Sequence, residues 1–565
     1  MQPMEMVDSR RITGPSLLAD TAGAILDVSV PNERQSEVVA AWERAVRRVL
    51  SAVGWGDETT AVRRFDGGLS LFMSAPVDAL YAATEVNEDV WTSVLSTLNG
   101  EKNSSADAEV ERLQELISKE TNSGLLSLRT AAAVHHVRFL QDDDCVSIGT
   151  GKGSTVFPVH DIPDPREIDW DSVYDIPTVL ITGTNGKSTS VRLLEAVIEC
   201  SGFVSGAAST DGVRVAGQTV EKGDYSGPEG AKAVLRNHDV EVAALEVARG
   251  GLLRRGVPIK GANAAVITNV AEDHLGEYGI YSLAELVQAK FVIRKALADD
   301  GTLVLNADDS GIVEYSKGIS QAVCWFTLDE SNPVVRQHIG AGGVACFLEG
   351  GQIVYAVACG TERIMNIEDI PITMKGAARY NIANCLNAIS LAKMLNLSNS
   401  AIRDALSRFG GSFRENPGRG NFIHIDGVTV LMDFAHNPHG MKAIIEMIRQ
   451  VPARRRLILV GQAGDRSNGD IRALVEATAV LEFDKVIAAE IPKYLRGRES
   501  GEVPGLIRSA FEELGIGRDD VELSPDYLSG VRSALEWSQS GDLLLLLVLD
   551  QKEEVFEFIR SRETL

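Results

Sequence analysis

A strand–loop–helix segment limits what this chain can fold into more than any other feature of the sequence. Residues 179–181 are apolar, residues 183–189 read Gly-Thr-Asn-Gly-Lys-Ser-Thr, and a helical pattern of apolar residues follows. In such loops, glycines let backbone amides turn towards phosphate oxygens at the start of a helix. The order of these elements predicts a P-loop at the carboxyl edge of a parallel sheet.

The P-loop predicts a role for each of its residues. Lys187 would reach the β and γ phosphates of a nucleotide, and the Ser188 hydroxyl would bind Mg²⁺. The common pattern has a glycine where Ile181 stands, so this is the shorter form. The remaining residues that would surround the phosphates are Gly183, Thr184, Asn185, Gly186 and Thr189.

A second glycine-rich stretch, residues 149–154, lacks the context of a P-loop. Gly153 separates Lys152 from Ser154, and the Val-Phe-Pro-Val sequence that follows cannot begin a helix. We therefore predict a hairpin turn at this position.

Alternating strand and helix patterns predict an α/β fold. Short runs of Val, Ile and Leu alternate with helical patterns, which is typical of a parallel sheet with helices on both faces. The predicted strands are Thr178–Thr182, Val240–Val247, Ala264–Asn269 and Gly301–Asn306. The alternation restarts as strand 428–432, helix 439–450, strand 456–461, helix 470–481 and strand 485–489. This second series predicts a separate Rossmann-like unit.

Prolines and acidic residues between positions 158 and 177 predict a domain boundary, because they resist both helix and central strand. We expect a small α+β domain over 1–165, a central P-loop domain with a parallel sheet over 166–410, and a C-terminal Rossmann-like domain over 411–565. The first domain should contain amphipathic helices at 35–53 and 107–120, and its role stays open.

The charge balance argues against some partners. The chain has 55 Lys and Arg against 79 Asp and Glu, a net charge of −24. Such a charge repels phosphate backbones and anionic membranes, so we expect neither nucleic acid nor a membrane as a partner. The polar, acidic start lacks the pattern of a signal peptide, which predicts a cytoplasmic protein. The apolar run 543–549 is too short to span a bilayer and predicts a buried parallel strand.

Two residues near the ends of predicted strands and one residue in a predicted helix could complete a phosphate and metal site. Glu246 ends one strand and could bind Mg²⁺, although an isolated strand-end glutamate is usually only solvated. His274 follows another strand and could be a ligand or a structural histidine. Lys290 falls within the apolar stripe of a helix predicted over Ser282–Leu297. It could extend to solvent, or it could carry a carbamate that binds a second metal ion.

Several separate motifs resemble the Mur ligase superfamily. They are the P-loop string, Asn269-Val-Ala-Glu-Asp-His274, Lys290 sixteen residues later, Asn306-Ala-Asp-Asp, Gly376-Ala-Ala-Arg-Tyr-Asn-Ile-Ala-Asn384, Pro417-Gly-Arg419 and Asp433-Phe-Ala-His436-Asn-Pro. The resemblance implies that Asn381 and Asn384 contact adenine, Arg419 contacts phosphate and Asp433 holds the ribose. It also implies that Glu246 and His274 bind magnesium and that Lys290 is carbamylated. Ser188, Glu246, His274 and Lys290 thus form the expected set of ligands for two Mg²⁺ ions.

Further strings resemble the Mur-like C-terminal half of cyanophycin synthetases. Among them are Thr210-Asp-Gly-Val-Arg, Leu245-Glu-Val-Ala-Arg249-Gly-Gly-Leu-Leu-Arg254 and Leu495-Arg-Gly-Arg498. The resemblance covers about residues 175–565. Those enzymes have an ATP-grasp module ahead of this half, and about 170 residues are too few to contain one. We therefore expect the reaction of that module to be absent.

The resemblance implies an ATP-dependent ligase that joins a carboxylate to an amino acid through an acyl phosphate. Arg249, Arg254, Arg496 and Arg498 are candidates for binding the carboxylate, because a guanidinium fork pairs with that group. His436 is a further substrate candidate. A nucleotide-binding subunit that needs a partner for activity is the alternative, and a small-molecule kinase would leave the C-terminal unit without a role. The sequence leaves open which acid and amine are joined, and whether the chain forms a homo-oligomer.

Overall fold

The computed structural model of the chain describes residues 4–100, 106–273 and 275–562. Within these ranges the strands form four sheets, of four, three, eleven and six strands, with helices packed on them. The fold is α/β with a small N-terminal α+β part, as the sequence predicts. No helix in these ranges is both long and apolar enough to cross a bilayer.

The N-terminal part is an antiparallel sheet backed by helices. Its strands are β1 (Glu5–Ile12), β2 (Gly23–Ser29), β3 (Thr60–Phe65) and β4 (Gly68–Ser74). Its helices are α1 (Gln35–Ala52), α2 (Leu80–Leu98), α3 (Ala106–Glu120) and α4 (Ser123–Val134). The sheet order is β1-β2-β4-β3, and the first two helices bury Trp42 and Trp91 against it. Both predicted helices are confirmed as α1 and α3.

A small sheet connects this part to the next. It consists of β5 (Phe139–Gln141), β6 (Cys145–Ile148) and β7 (Thr155–Pro158). The last two strands are antiparallel, and a short 3₁₀ turn at Gly151–Gly153 lies between them. The predicted hairpin turn is confirmed.

The central sheet is the largest in the described ranges. Its strands are β8 (Thr178–Thr182), β9 (Ser205–Ser209), β10 (Gly212–Val215), β11 (Gln218–Glu221), β12 (Val242–Glu246), β13 (Ala262–Ile267), β14 (Leu297–Asn306), β15 (Ala322–Thr327), β16 (Val344–Glu349), β17 (Gln352–Val357) and β18 (Gly360–Asn366). Its helices are α5 (Lys187–Cys200), α6 (Pro228–Leu235), α7 (Arg249–Arg255), α8 (Leu283–Phe291), α9 (Ser310–Ser316), α10 (Pro333–Gly340), α11 (Arg379–Met394) and α12 (Asn399–Arg408).

The order of the central strands positions the P-loop in the middle of the sheet. The parallel part runs β9-β12-β8-β13-β14-β15-β16, with an antiparallel hairpin at each edge. Strand β8 lies between β12 and β13, so the three carboxyl ends that precede the candidate residues are neighbours. Apolar cores on both faces of the sheet hold these strands in place.

The C-terminal sheet has the order β19-β20-β24-β21-β22-β23 and is parallel except for its first strand. The strands are β19 (Asn421–Ile425), β20 (Val428–Asp433), β21 (Arg456–Val460), β22 (Lys485–Ala489), β23 (Val521–Ser524) and β24 (Leu543–Leu547). The helices are α13 (Pro438–Ile448), α14 (Asn468–Glu476), α15 (Glu502–Glu513), α16 (Tyr527–Trp537) and α17 (Lys552–Ser561). Strand β24 is fully buried between parallel neighbours, which confirms the prediction for the apolar run 543–549. The limits 1–165, 166–410 and 411–565 enclose the sheets described above, and we retain them as proposed domain limits.

One predicted helix is shorter than expected. The pattern predicts a helix over Ser282–Leu297, but α8 ends at Phe291 and a 3₁₀ turn covers Val292–Ala296. Val292, Ile293 and Ala296 remain buried in that turn. The apolar stripe therefore continues while the backbone tightens before β14, and a tightened last turn is common at the end of a helix.

Candidate active site

The P-loop has the predicted geometry. Strand β8 ends at Thr182 and α5 begins at Lys187, with Gly186 in the left-handed region at φ 85°. A Cβ atom on Gly183 would lie 1.9 Å from the Thr268 hydroxyl oxygen, so only glycine fits there. The first amides of α5 have no acceptor within the helix, and the residues that carry them line the cavity beyond the loop, which suits an anion.

A cavity of about 870 Å³ lies between the carboxyl edge of the central sheet and the C-terminal part. Most of the residues predicted for the site line it. They are Gly183, Thr184, Asn185, Gly186, Lys187, Ser188, Thr189, Glu246, Arg249, Arg254, Lys290, Asn381, Asn384, Arg419, Asp433, His436 and Arg496. His274 lies outside the described residues. Arg498 is not among the residues that line the cavity.

Glu246 and Ser188 form the polar floor below the loop. The Ser188 hydroxyl donates to Glu246 Oε2 at 2.8 Å, and the Thr210 hydroxyl lies 3.1 Å from Ser188 Oγ. Lys187 Nζ lies 4.0 Å from Glu246 Oε1, which has no hydrogen-bond partner in the described ranges. Burial raises the pKa of Glu246, and the Lys187 charge opposes that effect. A buried carboxylate oxygen with unused acceptor capacity is suited to a cation.

Oxygen donors at this floor fit Mg²⁺, which prefers carboxylate, hydroxyl and phosphate oxygens and keeps several of its waters. The described residues contain no cluster of three or more His, Cys, Asp or Glu side chains that could hold a metal ion alone. Glu246 and Ser188 would therefore hold the ion together with the phosphates of a nucleotide.

Lys290 is buried in the wall of the cavity. Its side chain is 3% exposed, and Nζ donates to the carbonyl oxygen of Gly183 at 2.8 Å. The alternative in which Lys290 extends to solvent is therefore wrong. Burial, assisted by the nearby Lys187 charge, lowers the pKa of Lys290 well below its usual range. A lysine in this environment favours the neutral amine.

The C-terminal part supplies the opposite wall of the cavity. Asp433 is buried and accepts from the backbone amides of Gly420 and Ala435, each at 2.7 Å. Burial raises the pKa of Asp433 to about 6. Arg419 lies over the Phe434 ring, with its Cζ 4.5 Å from the ring centroid, and it donates to the Thr210 hydroxyl at 3.4 Å. Residues from both parts of the chain therefore meet at the P-loop.

A network of amides joins the two walls. The Asn185 side-chain amide donates to Asn437 Oδ1 at 3.1 Å, and its nitrogen lies 2.9 Å from His439 Nδ1. On the other side of the loop, Asn384 donates to Asn381 Oδ1 at 3.2 Å. The P-loop thus contacts α13 directly, and α11 lies close behind Gly186.

The four arginine candidates have different environments. Arg249 pairs with Glu277, and Arg496 pairs with Asp465. Arg254 is exposed and lines the cavity. Arg498, two residues after Arg496, points elsewhere.

The contacts of Arg498 differ from the expectation that this residue binds the carboxylate of the substrate. Its guanidinium donates to the carbonyl oxygens of Gly464 and Arg466, at 2.8 and 2.6 Å, and to Asn468 Oδ1 at 2.8 Å. These contacts use its donors to hold the loop before α14. The side chain is therefore placed to support a loop rather than to meet a ligand in the cavity.

The site also contains four residues that the sequence analysis did not select. They are Thr210, Asp273, Arg466 and Tyr278. Arg466 Nη1 lies 2.9 Å from Asp273 Oδ1, and His436 Nε2 lies 3.6 Å from Asp273 Oδ2. Thr210 and Asp273 fall within motifs already noted in the sequence, so a signal existed for these two residues. Tyr278 had none, because its position depends on contacts with the N-terminal sheet.

Comparison with known proteins gives matches in the two larger parts of the chain. The family described as "Mur ligase middle domain" matches residues 181–392, and "Mur ligase, glutamate ligase domain" matches residues 418–547. Cyanophycin synthetase of Trichormus variabilis is 35% identical over 374 residues, which are 66% of this chain and 41% of that protein. The match therefore spans about two fifths of the length of that relative.

More distant relatives share the same region. The UDP-N-acetylmuramoyl-L-alanyl-D-glutamate–2,6-diaminopimelate ligase of Syntrophomonas wolfei is 25% identical over 386 residues, covering 66% of this chain and 72% of that protein. The solved structure of Escherichia coli FolC in complex with DHPP and ADP superimposes with a TM-score of 0.50 at 19% identity. It covers 68% of this chain and 89% of FolC, and this likeness concerns the fold.

Proposed function

The chain belongs to the Mur ligase family, and from this premise we propose that it is an ATP-dependent acid–amino acid ligase. It would form an amide or isopeptide bond through an acyl phosphate and release ADP and phosphate. The observation that supports this most directly is the shared cavity of Lys187, Ser188, Glu246 and Lys290, closed by Asp433 from the C-terminal part. A nucleotide, an acid and an amine need to meet in one such place.

ATP would bind with its phosphates on the loop and its nucleoside towards the C-terminal part. The backbone amides of residues 186–188 and the Lys187 side chain would hold the β and γ phosphates. Asn381 and Asn384 would contact adenine, and Asp433 would accept from the ribose hydroxyls. A bound Mg²⁺ would neutralise phosphate charge. Glu246, with one buried oxygen lacking a hydrogen bond, would be its protein ligand together with Ser188.

In the first step, a carboxylate oxygen of the acid attacks the γ phosphorus, and the bond to the β-phosphate oxygen breaks. ADP is the leaving group, and the acid becomes an acyl phosphate. Lys187 and Arg419 would stabilise the charge that develops on the transferred phosphoryl group.

In the second step, the amine nitrogen attacks the acyl carbon, phosphate leaves and the nitrogen loses a proton. Contacts between the P-loop and α13, such as Asn185 with Asn437, would keep the C-terminal part over the acyl phosphate and exclude water. Exclusion of water prevents hydrolysis of that intermediate.

Lys290 would act as a carbamate. Its neutral amine would attack CO₂, lose a proton and become an anion, which gives an oxygen ligand for a second metal ion. The environment supports this proposal, because burial favours the neutral amine that the reaction with CO₂ requires. His274 belongs to the same proposed site by resemblance alone.

The acid would be bound by arginines on the wall formed by α7. Arg254 is exposed to the cavity, and Arg249 lies on the same short helix beside Glu277. A guanidinium fork suits a carboxylate. The acid is therefore proposed to lie between α7 and the P-loop, and Arg496 and His436 face the cavity from the C-terminal side.

The experiment is phosphate release by the full chain with ATP and Mg²⁺, across a panel of amino acids paired with acidic peptides. Lys187→Ala is the matched control. We expect one class of pairs to stimulate phosphate release in the parent and none to do so in the control. If no pair raises release above Lys187→Ala while ATP still binds, the alternative of a nucleotide-binding subunit that needs a partner replaces the proposal.

A further inference from the structure

The N-terminal sheet contacts the segment 277–285, which leads into α8, the helix of Lys290. On strand β3, the Arg63 guanidinium donates to the carbonyl oxygens of Tyr278 and Gly279, at 3.2 and 2.5 Å. It also donates to Glu285 Oε1 at 2.9 Å. The Arg63 side chain is only 16% exposed. One side chain thus links the N-terminal part to three groups that lie beside the cavity.

Glu285 connects Arg63 to Lys290. Its other oxygen, Oε2, accepts from the backbone amides of Tyr281 and Ser282 and completes the capping box at the start of α8. A capping box fixes where a helix begins and the direction in which it runs. Lys290 lies two turns further along this helix. Arg63 therefore holds the carboxylate that sets the start of the helix of Lys290.

Tyr278 is held in an unfavourable backbone conformation. Its φ is 53°, in the left-handed region that a tyrosine rarely occupies, and it lines the cavity. Arg10 of strand β1 lies over its ring, with Cζ 5.1 Å from the centroid. Such strain persists only where the surroundings enforce it. Here Tyr278 lies in a tight turn closed by the Ile280 amide, which donates to the Glu277 carbonyl oxygen at 3.1 Å, and the N-terminal sheet contacts that turn through Arg63 and Arg10.

The fit at Gly279 is close as well. Its φ is 68°, and a Cβ atom would lie 2.6 Å from the Phe65 ring and 2.9 Å from Arg63 Nη1. Next to it, Glu277 pairs with Arg249. The contact therefore extends from strand β3 through the segment 277–285 to the wall where the acid is proposed to bind.

We propose that Arg63 is a positioning residue of the ligase reaction, through which the N-terminal part sets the segment 277–285 and the start of α8. This inference rests on the proposed function. It gives the N-terminal part a role inside the active site, since this part supplies the support behind the acid and Lys290. Arg63 is not itself among the residues that line the cavity, and it reaches the cavity wall through its contact with Tyr278.

The mechanism predicts a separation between catalysis and nucleotide binding. Loss of Arg63 would let the segment 277–285 and α8 shift, and misplacement of reacting groups by about 1 Å can cost about 100-fold in rate. Supporting residues behind metal sites typically contribute about 10- to 100-fold to activity. The groups proposed to bind ADP lie on the loop 183–189, on α11 and on the C-terminal part, away from the segment that Arg63 contacts, so ADP affinity should stay unchanged.

The neighbouring Arg64 gives a matched control. It lies on the same strand, is exposed, and donates to the Ser36 hydroxyl at 3.0 Å, away from the cavity. For Arg63→Ala we expect kcat to fall about 10- to 100-fold, with the Kd for ADP equal to that of the parent. Arg64→Ala should keep the parent values of both. Arg63→Lys retains the charge without the fork and should recover part of the lost kcat.

The inference is overturned if Arg63→Ala and Arg64→Ala have the same kcat, or if kcat and ADP affinity fall together. Hydrogen exchange of the amides in 277–291 tests it without any acid or amine. Exchange should be faster in Arg63→Ala than in Arg64→Ala, and equal exchange would also reject the inference. Failure of the proposed function, by contrast, would appear as no stimulated phosphate release in the parent protein itself.

Discussion

Glycines at the two ends of helix α5 allow the cost of the left-handed backbone conformation in the P-loop to be separated from the cost of a steric clash there. Gly186 precedes the helix at φ 85°, and Gly202 follows it at φ 86°. A Cβ atom on Gly186 would lie 2.2 Å from Asn384 Oδ1, whereas a Cβ atom on Gly202 has no heavy atom within 4 Å among the described residues. Alanine at either position meets the same backbone strain, and only Gly186→Ala also meets a clash.

The magnitudes follow from these contacts. A left-handed conformation costs an alanine about 1–2 kcal/mol relative to glycine, and both variants should lose this amount. Asn384 is buried and donates to Asn381, so it can move away from the new methyl group only by breaking that bond. The lost hydrogen bond adds about 1 kcal/mol. We expect a destabilisation of about 1–2 kcal/mol for Gly202→Ala and about 2–3 kcal/mol for Gly186→Ala.

Thermal melts with and without ADP and titration of ADP binding test this prediction. Gly202→Ala should bind ADP like the parent. Gly186→Ala should lose at least about tenfold in affinity, the equivalent of 1.4 kcal/mol, because the clash displaces the loop amides that face the phosphates. Equal melting temperatures and equal ADP affinities for the two variants would refute the reasoning that packing against Asn384 matters.

Two further predictions concern titration and chemistry in the cavity. Burial raises the pKa of Asp433 from 3.8 to about 6. ADP affinity should therefore fall as the pH drops from about 7 to 5, because the carboxylate takes up a proton. The Asp433→Asn variant should show a flatter dependence of ADP affinity on pH. The sign for stability is the reverse, since the contribution of Asp433 is present below pH 3.8 and is lost as the pH rises through about 6. If Lys290 is a carbamate, buffers free of CO₂ should lower activity, bicarbonate should restore it, and Lys290→Ala should lose about 100-fold or more without restoration. Activity that does not change with the CO₂ concentration would exclude a carbamate on Lys290.

The P-loop shows how much local sequence determines. An apolar strand, glycines at the two positions that need unusual backbone, and an amphipathic helix stand in one short stretch. Each of these requirements is met by neighbours along the chain. The spacing of apolar residues and the local composition therefore predict the parallel sheet, the buried strand β24 and the position of Lys187 at the cavity.

The helix that contains Lys290 shows the limit of what the local pattern of apolar residues can predict. Its apolar stripe continues to Leu297, so the sequence predicts one helix, yet α8 ends at Phe291 because the chain turns into β14. The same pattern left two environments open for Lys290. Only the packed structure, with Nζ on the Gly183 carbonyl oxygen, distinguishes burial from exposure.

Arg496 and Arg498 stand two residues apart in one loop, and their sequence context gives no reason to separate them. The fold places Arg496 at the cavity and directs Arg498 to carbonyl oxygens more than 30 residues away. Arg63 and Glu285 meet across 222 residues. Which backbone carbonyls and carboxylates need a donor depends on how distant segments pack, and local periodicity contains no information about that packing. The sequence by itself determined the phosphate loop and the sheets, while the tertiary structure decided which arginines face the cavity and which hold its walls.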